Sequence, residues 1–244
     1  MKAAATRSSK SRDVSLAAVF SAIYLILRIV PTFSMIGISG QFTAGDFLLT
    51  SMAAVAGLWS GAVAVLVGTV LAYAVRAPLF FGLDFLPGLV NVSIAGTLLS
   101  GQRRVAQLIY LAVIALFLIS PYSLLYGYDH IPYVWLHLVA FAVLLSPVAA
   151  RIPSWTQRGG YLGVIGFAVL SFVGTMAQHL MGGLLFELSL GVLGGMDPAG
   201  FGRIWKIIFF AYPIERLAIF TISTILAVAI FRSFRRWAPA SWRG

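Results

Sequence analysis

The sequence predicts an all-α protein, a polytopic transmembrane helical bundle. Three observations predict it. Hydrophobic residues make up 60% of the chain and charged residues only 10%, with a mean hydropathy of +0.97. A water-facing surface needs more polar cover than that, whereas lipid needs none. Apolar runs recur along the chain at lengths near the roughly 20 residues of a helical span. The basic residues also sort to alternate connections.

Eight spans are expected, at about 14–32, 43–58, 61–76, 86–101, 105–121, 133–150, 161–190 and 205–232. The first follows the tail "MKAAATRSSKSRDV", which resembles the start of a signal peptide. The apolar run Val14–Val30 is long, contains Arg28 and meets Pro31 with no small-residue cleavage site, so it reads as a retained span. Spans two to four are short, and Trp59-Ser60, between Gly57 and Gly61, leaves room only for a tight turn. The seventh is long and glycine-rich, which predicts tilt, a kink or an end outside the membrane. Three divisions follow: a basic cytoplasmic tail at 1–13, one transmembrane domain at 14–232 and a second basic tail at 233–244.

With the N-terminus inside, twelve cations fall on the inner face: Lys2, Arg7, Lys10, Arg12, Arg103, Arg104, Arg151, Arg158, Arg232, Arg235, Arg236 and Arg243. Arg76, Arg203 and Lys206 fall outside, and Arg28 and Arg216 fall within spans. Twelve against three is a strong positive-inside bias, so both termini are expected in the cytoplasm of a multi-pass cell-membrane protein. The net charge of +10 is then a matter of topology and of attraction to the lipid bilayer, and no nucleic-acid partner is needed. No cysteine is present, which removes disulfides and thiolate chemistry.

The acids run the other way. Asp13 alone lies inside, whereas Asp46, Asp84, Asp129, Glu187, Asp197 and Glu215 sit at outer ends or in outer loops. Ionisable groups at membrane depth are costly and line cavities or pair. The asymmetry predicts a pocket open to the outside and closed below.

Each candidate residue has a bland reading beside the functional one. Thr43-Ala-Gly-Asp46 fits a capping box at the start of the second span. Alternatively, Asp46 lies in a pocket beneath an irregular Gly37–Gly45 loop. Gly37-Ile-Ser-Gly40 matches the G-x-S-G of rhomboid-type intramembrane proteases, with His179 as the base for Ser39. Ala18-xxx-Ala22 is a small-residue face, for internal packing or for a partner. Gln178 and His179 lie mid-span, with Glu187 about two turns on. No H-E-x-x-H spacing exists, so no metal is expected. Pro213-Ile-Glu215-Arg216 opens the main part of the last span. Adjacent side chains point apart, so each is expected to have its own partner: Arg28 is one candidate for Glu215, and Glu187 or an anionic ligand for Arg216. Outer aromatics such as Phe42, Tyr133, Trp205 and Tyr212 form an interfacial belt or stack on a ligand.

The order of these features resembles the S-components of energy-coupling factor (ECF) vitamin transporters. Ala18-xxx-Ala22 is similar to the family's docking motif. "TAGDFLLTSMAAVAGLWSGAVAVLVGTVLAYAV" resembles its second and third helices, "FLPGLVNVSIAGTLLSGQRR" its fourth, and "AYPIERLAIFTISTILAVAIFRSFRR" its last. The family usually has six helices, so the chain departs from it by an inserted hairpin around residues 105–150. The resemblance implies that a small vitamin-like substrate binds at Gln41, Asp46, Arg76, Asp84, Asn91, His179, Glu187, Glu215 and Arg216. It implies docking through Ala18 and Ala22 to a transmembrane coupling component and two cytoplasmic ATPases. The chain lacks G-x-x-x-x-G-K-[ST], so it is expected to hydrolyse no ATP, and the resemblance implies a chain that is no enzyme itself and holds no cofactor. An intramembrane hydrolase and a stand-alone secondary transporter are the alternatives. The latter class carries inverted repeats, and none is evident here.

Overall fold

The structure, a computed structural model, describes the backbone of residues 2–237 and the side chains of residues 10–235. Met1 and residues 238–244, with Arg243, lie outside the described residues. The chain is mostly helical. In order come α1 (Lys2–Ile29), α2 (Leu49–Ala72), α3 (Leu86–Leu99), α4 (Arg103–Ile119), α5 (Trp135–Leu145), α6 (Pro147–Arg158), α7 (Gly160–Phe186) and α8 (Pro198–Trp237). Two small antiparallel hairpins interrupt them: β1 (Pro31–Ser34) with β2 (Gln41–Thr43), and β3 (Tyr126–Tyr128) with β4 (Ile131–Pro132). The loop expected over the pocket is therefore a hairpin, with Gly37–Ser39 at its tip.

α7 is the central element. It touches α3, α4, α5, α6 and α8, and α2 joins α1, α3 and α8 around it. Small residues along α7 permit this. At Gly174 a Cβ would lie 2.7 Å from Oδ1 of Asn91, so only glycine leaves room for the α3 amide. The core continues into aromatic rings at one end, where Phe117, Tyr133, Phe186 and Trp205 pack edge to face and face to face.

Among the described residues, three helical runs are long and apolar enough to cross a membrane: Leu49–Ala72, Gly160–Leu193 and Pro198–Arg235. The first folds back on itself. Gly57 takes φ 78° and ψ −179°, and a Cβ on Gly61 would lie 3.7 Å from the backbone of Met52. In a straight helix, nine residues span about 13.5 Å. The expected spans two and three are thus the two limbs of α2, and the turn falls at Gly57 rather than at Trp59-Ser60. The positive φ there is a conformation in which glycine carries no penalty.

The sixth expected span, 133–150, is broken. α5 ends at Leu145 and the chain bends by 74° into α6. The reason is local: a residue before proline avoids the helical region, and Ser146 sits at ψ 163° before Pro147. Its hydroxyl accepts the Val148 N–H at 3.2 Å and caps the new helix. The seventh run is extended beyond α7 by π-helical turns, Glu187–Leu193.

Candidate functional site

One end of the bundle encloses a cavity of about 120 Å³ between α1, the β1–β2 hairpin, α2, the 73–85 loop, α7 and α8. Of the predicted residues, Gln41, Asp46, Arg76, Asp84, His179, Glu215 and Arg216 line it. Asn91 and Glu187 do not.

Asp46 sits at the centre of a buried relay. It lies on a 3₁₀ turn, Ala44–Phe47, and is 6% exposed. Its Oδ1 accepts from Nε2 of Gln178 at 2.7 Å, and Oε1 of Gln178 accepts from Nδ2 of Asn91 at 2.8 Å. Asn91 therefore acts from behind the wall, by orienting Gln178. The capping-box reading does not hold for Thr43, whose side chain makes no capping bond. Arg28 and Arg216 place positive charge on Asp46 from two sides.

Arg216 is 1% exposed, yet its Nε and Nη2 find no hydrogen-bond partner among the described residues. Its nearest carboxylate is its neighbour Glu215, with Nη2 and Oε2 3.8 Å apart. This corrects the expectation that adjacent side chains diverge and that Arg216 pairs with Glu187. At the Pro213 turn both project towards the cavity. Arg28 forms no salt bridge with Glu215 among the described residues and instead faces Asp46, Asp84 and Tyr24. The Arg216 guanidinium lies 4.4 Å from the Phe42 ring centroid, stacked on the β1–β2 hairpin.

Two other predicted residues shape the mouth. Asp84 accepts the N–H groups of Leu79 and Phe80 at 2.9 and 3.1 Å, which closes the 73–85 loop. Arg76 donates to the carbonyl of Gln41 at 3.1 Å and ties that loop to β2. Glu187 is buried on the π turns beside Ser120 and Trp205, outside the cavity.

His179 faces the cavity and shares a 2.9 Å hydrogen bond with the fully buried His137 of α5. Both rings stack on Tyr212. Ser39 is exposed at the hairpin tip and does not line the cavity with His179. No group of three or more His, Cys, Asp or Glu side chains fit to hold a metal occurs among the described residues.

The residues missing from the predicted set are Arg28, Gln178, Tyr24 and His137. Arg28 and Gln178 carried a signal, each being a polar group inside an apolar run. His137 is likewise a polar group in an apolar run, but its pairing with His179, 42 positions away, carried no local signal. Ala18 and Ala22 are exposed on α1, so they do not form an internal packing contact. Comparison with protein-family models, with curated proteins and with solved structures finds no match.

Proposed function

We propose that this chain is a membrane-embedded capture protein, the substrate-binding S-component of an ECF-type importer for a small, water-soluble, vitamin-like micronutrient. In this reading the chain has a six-helix core plus the α4–α5 hairpin, and both termini are cytoplasmic. The cavity faces outward, and Ala18 and Ala22 meet a coupling component driven by two ATPases.

The carrying observation is Arg216: a buried guanidinium whose Nε and Nη2 find no hydrogen-bond partner among the described residues, in a cavity shared with Asp46, a carboxylate held by its own relay. Buried polar groups are bonded in native proteins, so an orphan donor points to a missing acceptor. A ligand anion would supply it, and the free face of Asp46 would accept a donor from the same ligand. The size supports a small molecule. The cavity is close to the roughly 150 Å³ of an engineered cavity that admits benzene, which is the scale of one ring with polar substituents.

The test is mass spectrometry of small molecules released from the purified protein, followed by binding of the compound found. One anionic or zwitterionic compound per chain is expected. Arg216→Gln should weaken its binding about ten- to hundredfold, the worth of a bond to a charged group at roughly 1.5–3 kcal/mol. A protein that releases nothing and binds none of a panel of vitamins would remove the reading. Unchanged binding in Arg216→Gln would remove the site.

A further inference from the structure

A second cavity, of about 230 Å³, lies at the opposite end of α7 and α8, where the end of α6 closes over them. Its lining has two halves. Arg158, Arg232 and Arg235 make one half basic, and Phe167 and Phe231, edge to face at 5.2 Å, make the other apolar.

Among the described residues the arginines have no acidic partner. The sequence holds no Asp or Glu between residues 130 and 186, and none beyond 215. α6, α7 and the remainder of α8 therefore offer only neutral acceptors. Arg232 donates to the Gly160 carbonyl at 3.1 Å and Arg235 to the Gln157 carbonyl at 2.7 Å. Each guanidinium has five donors, so most remain free. Arg158 is exposed and makes no hydrogen bond or ion pair among the described residues. The first turn of α7 adds its unpaired amides, since Gly159 at its N-cap supplies no side-chain acceptor.

The level of the cavity identifies the source of an anion. Gly163 lines this cavity and Gly183 lines the other. Twenty residues of helix separate them by about 30 Å, which is roughly the hydrocarbon thickness of a bilayer. If one cavity meets one membrane face, the other meets the opposite face. Trp155, under the Arg151 guanidinium, and Tyr161, 79% exposed, flank it as interfacial aromatics do.

We propose that this cavity binds the phosphate of an anionic phospholipid, with the arginines on the phosphate oxygens and an acyl chain against Phe167 and Phe231. Arginine forks match phosphate geometry, and a free anion would leave the apolar half unused.

The full chain in nanodiscs of equal parts phosphatidylglycerol and phosphatidylcholine gives the test, with native mass spectrometry counting retained lipid. Phosphatidylglycerol should be retained in preference, and Arg158→Gln should lower that preference about fivefold, the usual weight of one basic residue at a membrane surface. The substitution breaks no bond, so folding is not at stake. Arg151→Gln removes the same charge outside the cavity and should have little effect. Equal retention of the two lipids would overturn the proposal. So would equal losses in the two variants, which would show bulk charge rather than a site. Displacement of the lipid by millimolar inorganic phosphate would overturn the lipid assignment in favour of a free anion.

Discussion

The two ends of the α7–α8 pair handle charge in opposite ways. At the cavity end, Asp46 and Arg216 face inward and are buried, and the polar groups behind them are bonded in series from Asn91 through Gln178. At the basic end, Arg158, Arg232 and Arg235 are exposed and unopposed by acid among the described residues; Arg232 and Arg235 bond to carbonyls and Arg158 to nothing. A buried charge must be matched inside the protein or by a ligand, and its loss is felt by the whole fold. An exposed one is matched by solvent or headgroups, and its loss is local. In the readings proposed above, the first end would select a ligand and the second would attach to lipid.

The largest expected effect separates the ends directly. Asp46→Leu leaves the Gln178 amide without its acceptor and takes away an anion that offsets Arg28 and Arg216, and an uncompensated buried charge costs about 3–5 kcal/mol. For a chain of this size that is a fall in Tm of about 6–20 °C in detergent. Arg158→Leu at the other end should stay within roughly 0.5 kcal/mol. The double variant Asp46→Leu/Arg216→Met should recover part of the loss, because the stranded charge goes too. Equal Tm values for the two single variants would break the contrast.

A smaller effect sharpens it. Asn91 does not line the cavity, but it orients Gln178. Asn91→Ala leaves Oε1 of Gln178 without a donor in a buried site, at about 1–3 kcal/mol. Both stability and ligand binding should fall, with Asn91→Asp worse than Asn91→Ala, because a carboxylate cannot donate to Oε1. A loss of binding with unchanged stability would place Asn91 on the ligand instead.

Much of the cavity end was legible in the sequence, because acids and arginines in an apolar chain stand out by cost alone. Asp46, Arg76, Glu215 and Arg216 were visible in that way. The Gln178–Asp46 bond was not, since it joins residues 132 positions apart and no local pattern encodes it. Of the two partners expected for Arg216, Glu187 does not hold: Pro213 lies inside α8 rather than opening a span, and Glu215 and Arg216 both reach the cavity that Glu187 does not line. The bend at Ser146-Pro147 was written in the dipeptide, yet the apolar run across it read as continuous. The α2 hairpin was anticipated from Gly57 and Gly61, and the structure shows why: one glycine turns the chain and the other lets the limbs touch.

The smallest expected effect concerns α1, between the two ends. Ala18 and Ala22 are exposed, one turn apart, on a helix whose buried side is formed by Phe20, Ser21 and Tyr24. A leucine at either position meets lipid or a partner but no internal neighbour. Ala18→Leu and Ala22→Leu should therefore change the stability of the isolated chain by no more than about 0.5 kcal/mol, with ligand binding unchanged. If the small-residue face docks against another membrane helix, the same substitutions hold the helices apart, and recovery of a coupling component with the chain should fall. A drop in Tm in the isolated chain would instead make the stripe a packing surface of this protein. Normal stability together with normal partner recovery would leave the alanines on a lipid-facing surface, and docking would have to use another face of α1.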